Sequence, residues 1–360
     1  MINRKEKHKL SGMGESRQSN IELLRIIAML LIVLLHCNYF ALGGQNTFDI
    51  HSMEGFTRVF LEQLTIVGVD VFVLISGWFG ICAKLKGAIS LLFQVVFFSV
   101  VITLLCKLTG IMQVNGIQCS IKDVVKSFYF GCTYWFVPAY LALYALTPIL
   151  NSFIEHAPRN QFRNVLICFF VFEIFCGWII DVLGLKQGYH VFSFMGLYLL
   201  ARYVRLYPSA IFTHKWYVDL SMYFALSLIP AVLELLVPEG SVISKIHLVY
   251  HSPFVIGASL FLLLAFSKWH IHSNFINWFA SSAFAVYLMH QHPSIQPLFI
   301  TYFSNMYDGM AGYEYVFACI IIAAFLFVVS IMIDNVRKYV WKLITEIKHQ
   351  HNCFSVRRKI

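Results

Sequence analysis

Charge is scarce in this chain. Only 12% of its 360 residues are Asp, Glu, Lys or Arg and 59% are hydrophobic, against roughly 25% charged and about 45–50% apolar in ordinary soluble domains. The mean hydropathy of +0.71 agrees, and a soluble globular domain is excluded. No C-x-x-C pair occurs: the nine cysteines lie scattered, mostly within apolar runs, so neither a zinc module nor a disulfide framework is indicated. Cys119 and Cys132 could pair only if the segment between them faces an oxidising compartment. No internal repeat is visible, which weakens a transporter reading based on inverted repeats. The net charge of +9 does not point to nucleic acid, because the basic residues sit mainly at the chain ends and between apolar segments, as short cytoplasmic loops require.

What the chain does have is apolar stretches of membrane-spanning length, about 20 residues each. They recur near 21–40, 57–80, 88–107, 133–151, 163–183, 189–206, 216–236, 246–266, 275–300 and 314–336. The expectation is an all-α polytopic integral membrane protein of about ten helices. Pro293 and Pro297 interrupt the ninth, and Gly184 and Gly188 set the fifth close to the sixth. With the N-terminus inside, twenty of the 27 Lys and Arg fall on the inner side and six on the outer, Arg25 being the last. This asymmetry places both termini in the cytoplasm. The domains expected are a basic tail over 1–20, a transmembrane domain over 21–336 and a second basic tail over 337–360. The outer segment 108–132 has room for a short interfacial helix. Ala41 and Gly43 resemble a weak signal-cleavage site, but cleavage there would discard the first apolar segment.

That first segment carries Arg25 and His36. Eleven residues are about three helical turns, so the two lie within about 20° of one face and about 16 Å apart along the axis. Ionisable residues in hydrocarbon mark functional sites by default, since each costs at least about 2.5–3.5 kcal/mol to insert. Snorkelling of Arg25 to the near headgroups, with His36 at the far interface, explains the spacing equally well. The second apolar segment holds Glu62, Asp70 and the run Ser76-Gly77-Trp78. Asp70, near mid-depth, needs a neighbour such as Arg25 or a wet cavity, and an ion pair tying two helices would satisfy it. Ser76-Gly77 can equally serve close helix approach. His290 with His292, or His247 with His251, could ligate a metal, but neither pair brings a third ligand and no metal is expected. Glu173, Asp181 and Glu234 are further acidic groups in or near helices.

Four stretches together resemble membrane-bound acyltransferase family 3. They are Asn20 to His36, with ten residues between Arg25 and His36; Gly68-Val-Asp70 through Ser76-Gly77-Trp78; Tyr134-Trp135-Phe136-Val137-Pro138-Ala139-Tyr140 followed by Thr147-Pro148; and Ser281 through Tyr287 to His290. They occur in order across about residues 20–335. Trp78 stands where the family usually has Phe, which keeps an aromatic and points to a tuned pocket.

The resemblance implies transfer of an acyl group, usually acetyl from acetyl-CoA or another short acyl-CoA, to a hydroxyl or amine of a cell-surface glycan or lipid-linked sugar. Arg25 would then bind CoA phosphates, and His36 would either act as general base on the acceptor or first take the acyl group itself. Asp70 and Ser76 are supporting catalytic candidates, one orienting Arg25 or His36 and the other offering a donor near the thioester. Gly77, Trp135 and Arg202 are candidates on the donor side. An interfacial aromatic belt explains Trp135 almost as well, and the positive-inside rule explains Arg202 and Arg205. The partners expected are the acceptor glycan and the lipid bilayer, with homo-oligomerisation left open. A transporter or flippase using Arg25, Asp70 and His36 is the alternative, and a catalytically silent scaffold is a third reading.

Overall fold

The computed structural model describes residues 18–44, 49–114, 116, 120–126, 134–179, 188–209, 212–236, 249–310 and 312–357. The tail before residue 18, Cys119 and Cys132, Asp181, Gly184, His247 and the last three residues lie outside them. Among the described residues the chain is helical throughout, with no strand. The long elements are α1 (Ser19–Leu35), α2 (Met53–Thr65), α3 (Gly68–Phe79), α4 (Leu85–Leu108), α5 (Phe136–His156), α6 (Arg159–Phe172), α7 (Val191–Leu206), α8 (Trp216–Leu236), α9 (Pro253–Ser267), α10 (Asn274–Ala280), α11 (Ala283–His290), α12 (Gln296–Asp308) and α13 (Gly312–Arg357). Two short turns, Ile111–Val114 and Ile121–Lys126, fall in the segment expected to hold an interfacial helix.

Six spans are long and apolar enough to cross a membrane: Ser19–Phe40, Met53–Phe79, Leu85–Leu108, Phe136–His156, Trp216–Leu236 and Gly312–Glu346. Within the described residues the other four expected spans are also helical but shorter or interrupted. The ninth is three helices, α10 to α12. It bends at Ser281-Ser282 and again between Gln291 and Ile295, around Pro293. Pro297 opens α12, where the missing N–H costs nothing. The second expected span bends at Ile66-Val67, where α2 ends and α3 begins. Helix α13 runs on without a break past residue 336, into the stretch expected to be a basic tail.

Helix α3 lies at the centre of the bundle. At Gly68 it meets α1, where an added Cβ would lie 2.7 Å from the Ala28 carbonyl oxygen; at Gly77 it meets α7, where a Cβ would lie 2.5 Å from the Tyr198 carbonyl oxygen. Only glycine allows these approaches.

Polar ties gather at the two ends of this apolar stack. At the end holding the start of α1, Asn20 donates to the Phe266 carbonyl (2.9 Å), Ser19 Oγ accepts from the Ser273 amide and Lys268 pairs with buried Asp219. Arg202 and Arg205 donate to the Trp78 carbonyl at the C-terminus of α3, meeting its otherwise unsatisfied end. At the opposite end Asn38 donates to the Arg58 carbonyl (3.0 Å) and Tyr315 to that of Cys37 (2.7 Å).

One carboxylate joins three elements. Asp334 on α13, fully buried, accepts from Gln94 of α4, from Ser282 at the α10–α11 bend and from its own-helix partners Arg337 and Lys338. Asp334→Ala strands the Arg337 guanidinium and a buried amide, while Lys338 keeps Ser281 and Ser282, and removing one member of a buried ion pair typically costs about 3–5 kcal/mol. The variant is therefore expected to unfold several degrees lower than wild type when melted in detergent micelles. An unchanged melting curve would show that Asp334 does not hold these helices together.

Candidate active site

Helix α1 carries Arg25, Met29, Ile32 and His36 in steps of four, three and four residues, the repeat of one helical face. The helix is regular to Leu35 and then widens into a π-turn over His36–Phe40, with the Ala41 amide donating to the His36 carbonyl at 3.0 Å. Such single wide turns occur preferentially at functional sites.

Around His36 residues of α3, α5 and α11 converge. Its Nδ1 lies 2.8 Å from Nε2 of His290, at the end of α11, and 3.0 Å from the Gln291 side-chain amide. The ring packs edge-on to Phe40, centroids 4.9 Å apart. His36, Ile32 and Met29 form one wall of a narrow cavity of about 20 Å³, closed by Val69 and Phe72 of α3, Trp135 and Phe136 at the start of α5, Phe284 and Tyr287 of α11, and Tyr250. That volume holds about one water molecule. Apart from the imidazole, the two tyrosine hydroxyls and the indole N–H, its lining is hydrocarbon and aromatic carbon.

Arg25, towards the other end of the seam, binds Glu22 one turn earlier through Nη1 at 2.6 Å, and its side chain is 27% exposed against 5% for Glu22. Ser76 lies on this side. Its Oγ bonds the Phe72 carbonyl and the Tyr140 hydroxyl, both at 3.1 Å, and Tyr140 in turn feels the Arg25 charge. Ser76 is thus tied to Phe72 and Tyr140 and makes no hydrogen bond to His36.

Asp70 is buried, at 1% exposure. It makes neither a hydrogen bond nor an ion pair with Arg25 or His36; its Oδ2 has no partner among the described residues. It interacts electrostatically with Glu173 and with Tyr250 of the cavity wall. Of the two environments expected for Asp70, a neighbour such as Arg25 or a wet cavity, the first is not found, because Glu22 supplies Arg25 with a carboxylate from within the same helix. Gly77 makes the close contact with α7 described above, and Arg202, 1% exposed, caps α3 through the Trp78 carbonyl. Both are engaged in helix packing. Trp135 lies in the cavity wall beside His36, its ring 4.4 Å from that of Tyr189, rather than beside Arg25.

The family model described as "Acyltransferase domain", that of acyltransferase family 3, matches residues 18–334. The chain belongs to this family. The matched range takes in the whole α1 seam, α3, the aromatic wall and the α11 histidine, so this membrane acyltransferase brings residues of several matched segments to one cavity. No curated protein matches the acyltransferase chain, and no solved structure does.

Two histidines considered as metal ligands separate in the acyltransferase. His290 faces His36, while His292 spends Nε2 on Thr103 and the Ser99 carbonyl and Nδ1 on the Ser294 amide. Among the described residues no group of three His, Cys, Asp or Glu side chains is placed to hold a metal ion. Sequence reasoning passed over Glu22, although its spacing to Arg25 is that of a helical ion pair. It also passed over the contact of His36 with His290 and Gln291, for which no local signal exists.

Gly77→Ala separates packing from donor binding. Its Cβ meets backbone, which cannot yield, so the variant is expected to lower the amount of folded protein recovered by size-exclusion chromatography by several-fold, with the acyl-donor KM of the surviving fraction unchanged. A normal yield with a raised KM would instead place Gly77 in the donor site.

Proposed function

We propose that the protein transfers an acetyl or other short acyl group from acyl-CoA, bound at the Arg25 end, to a hydroxyl of a cell-surface glycan or lipid-linked sugar received at the His36 end. The observation that carries this reading is the single seam of α1, on which Arg25, Met29, Ile32 and His36 follow one another while the last three line the cavity. A guanidinium recognises phosphate oxygens through paired, charge-assisted hydrogen bonds, and the pantetheine arm of CoA is long enough to reach about 16 Å along a helix face. Glu22 holds the guanidinium in place and leaves its other nitrogens for phosphate. Family membership supports acyl transfer; CoA as donor and a glycan as acceptor rest on this arrangement and on the family's usual role.

In the proposed reaction His36 takes the proton of the acceptor hydroxyl as its oxygen attacks the thioester carbonyl. The C–S bond then breaks, and the proton passes from the imidazolium to the departing CoA sulfur. The aromatic wall of Trp135, Phe136 and Tyr287 keeps bulk water from the thioester. We place ten membrane crossings in the chain, the six long helices with the four shorter ones. Both termini then lie in the cytoplasm and Arg25 faces the cytoplasmic CoA pool, in the plasma membrane.

Two substitutions test the reading in membranes supplied with radiolabelled acetyl-CoA. His36→Ala is expected to abolish label transfer to membrane glycans at normal protein levels. Arg25→Ala is expected to raise the acetyl-CoA KM by about tenfold to a hundredfold, the range for lost hydrogen bonds to a charged group. Full transfer by the His36 variant would sink the mechanism, and vesicles that accumulate unlabelled sugar without covalent change would replace acylation with transport.

A further inference from the structure

We propose that His290, assisted by Gln291, is a positioning residue that holds His36 in the tautomer with hydrogen on Nδ1, leaving the Nε2 lone pair as the proton acceptor. This inference rests on the acyl-transfer reading above and adds to it what fixes the base.

The hydrogen-bond chain determines the direction. His290 Nδ1 lies 2.6 Å from the Val286 carbonyl oxygen. A carbonyl can only accept, so Nδ1 of His290 carries a hydrogen and donates it. A neutral imidazole has one donor and one acceptor nitrogen, so Nε2 of His290 must accept. Its partner at 2.8 Å is Nδ1 of His36, which therefore carries hydrogen and donates. A doubly protonated His290 would be a fully buried cation with no carboxylate in hydrogen-bonding reach, an arrangement that burial strongly opposes.

Gln291 fits the same order with its amide turned. As placed, its Nε2 lies 3.0 Å from His36 Nδ1 and its Oε1 accepts from Gln296 Nε2 at 3.2 Å, the reverse of the orientation that the His36 tautomer requires. The two ends of a carboxamide exchange by a 180° turn. With Gln291 Oε1 towards His36, it becomes a second acceptor for the same N–H, and its nitrogen donates to Gln296 Oε1 once that amide is turned as well. Both acceptors sit on the Nδ1 side of the ring. His36 lines the cavity, and with Nδ1 engaged, Nε2 is the one ring nitrogen left to serve it. When Nε2 takes the acceptor proton, the charge is shared through Nδ1–H with two oriented acceptors. The same contacts fix the plane of the ring, a second requirement of a general base.

The distinguishing experiment uses the full chain in membranes with radiolabelled acetyl-CoA, measuring rate against donor concentration per mole of folded protein. His290→Met removes the acceptor at nearly constant volume; His290→Gln puts an amide oxygen where Nε2 was. The Met variant is expected to lose about a hundredfold in maximal rate, the lower range for general base catalysis, with an unchanged acetyl-CoA KM, and the Gln variant to recover most of that loss. A Met variant at wild-type rate, or Met and Gln variants equally slow at normal protein levels, would overturn the proposal. If His290→Met does not accumulate, Gln291→Met decides: a fall of about tenfold at unchanged KM, the size of one lost hydrogen bond, supports it, and an unchanged rate overturns it. His36→Ala is run beside these variants. If that variant is inactive while His290→Met is fully active, only the positioning role fails; if His36→Ala still transfers label, the role of His36 as base fails together with the positioning role, and a wild-type chain that transfers no label removes the acyl-transfer reading itself.

Discussion

In a bundle this poor in charge, a polar side chain away from the membrane surfaces must find its partner inside the protein, because hydrocarbon offers none. The structure follows from how the few polar groups meet that demand. Pairing Arg25 with Glu22 within one turn keeps the guanidinium near the helix start and frees the rest of the α1 face for the cavity. His36 is met from the far end of the chain, by residues 254 and 255 positions away, so its environment exists only when α1 and α11 are packed together. Asp334 bonds both α4 and the bend that sets the direction of α11, and so the support of the histidine pair reaches back through a second buried polar group.

Helix α3 shows the complementary device. It has no side chain at either of its two closest crossings, Gly68 and Gly77, and its C-terminal carbonyl is covered by Arg202 and Arg205. Close backbone approach there replaces the hydrophobic drive that water would supply in a soluble protein, since apolar side chains gain little by leaving lipid for protein. Gly77 and Arg202, candidates on the donor side for which helix packing and the positive-inside rule were the other readings, both take part in helix packing.

The legible parts of this protein were the local ones. Hydropathy runs marked the helices, and the seam of Arg25 and His36 followed from 3.6 residues per turn alone. Four motifs in order pointed to the family. The same local signal was available for Glu22, three residues before Arg25, and its omission is what left Asp70 as the expected partner of the arginine. The pairing of His290 with His36 was not available, because a contact across more than 250 residues depends on where the α10–α11 and α11–α12 bends aim a short helix. The sequence showed the prolines but not the resulting angle. Trp135 was legible as a cavity residue, yet which end of the cavity it serves depends on how α5 enters the bundle.

The cavity beside His36 holds about one water molecule. A thioester arm is far larger, so the resting walls must separate to admit it, and the arm then fills the space that water would otherwise take. In the proposed reaction a base adequate for a sugar hydroxyl is adequate for water as well, and a cavity open to water would lose the acyl group by hydrolysis. On that reading the tightness of the apolar lining is a form of thrift: it leaves room for about one water molecule beside His36 and no more.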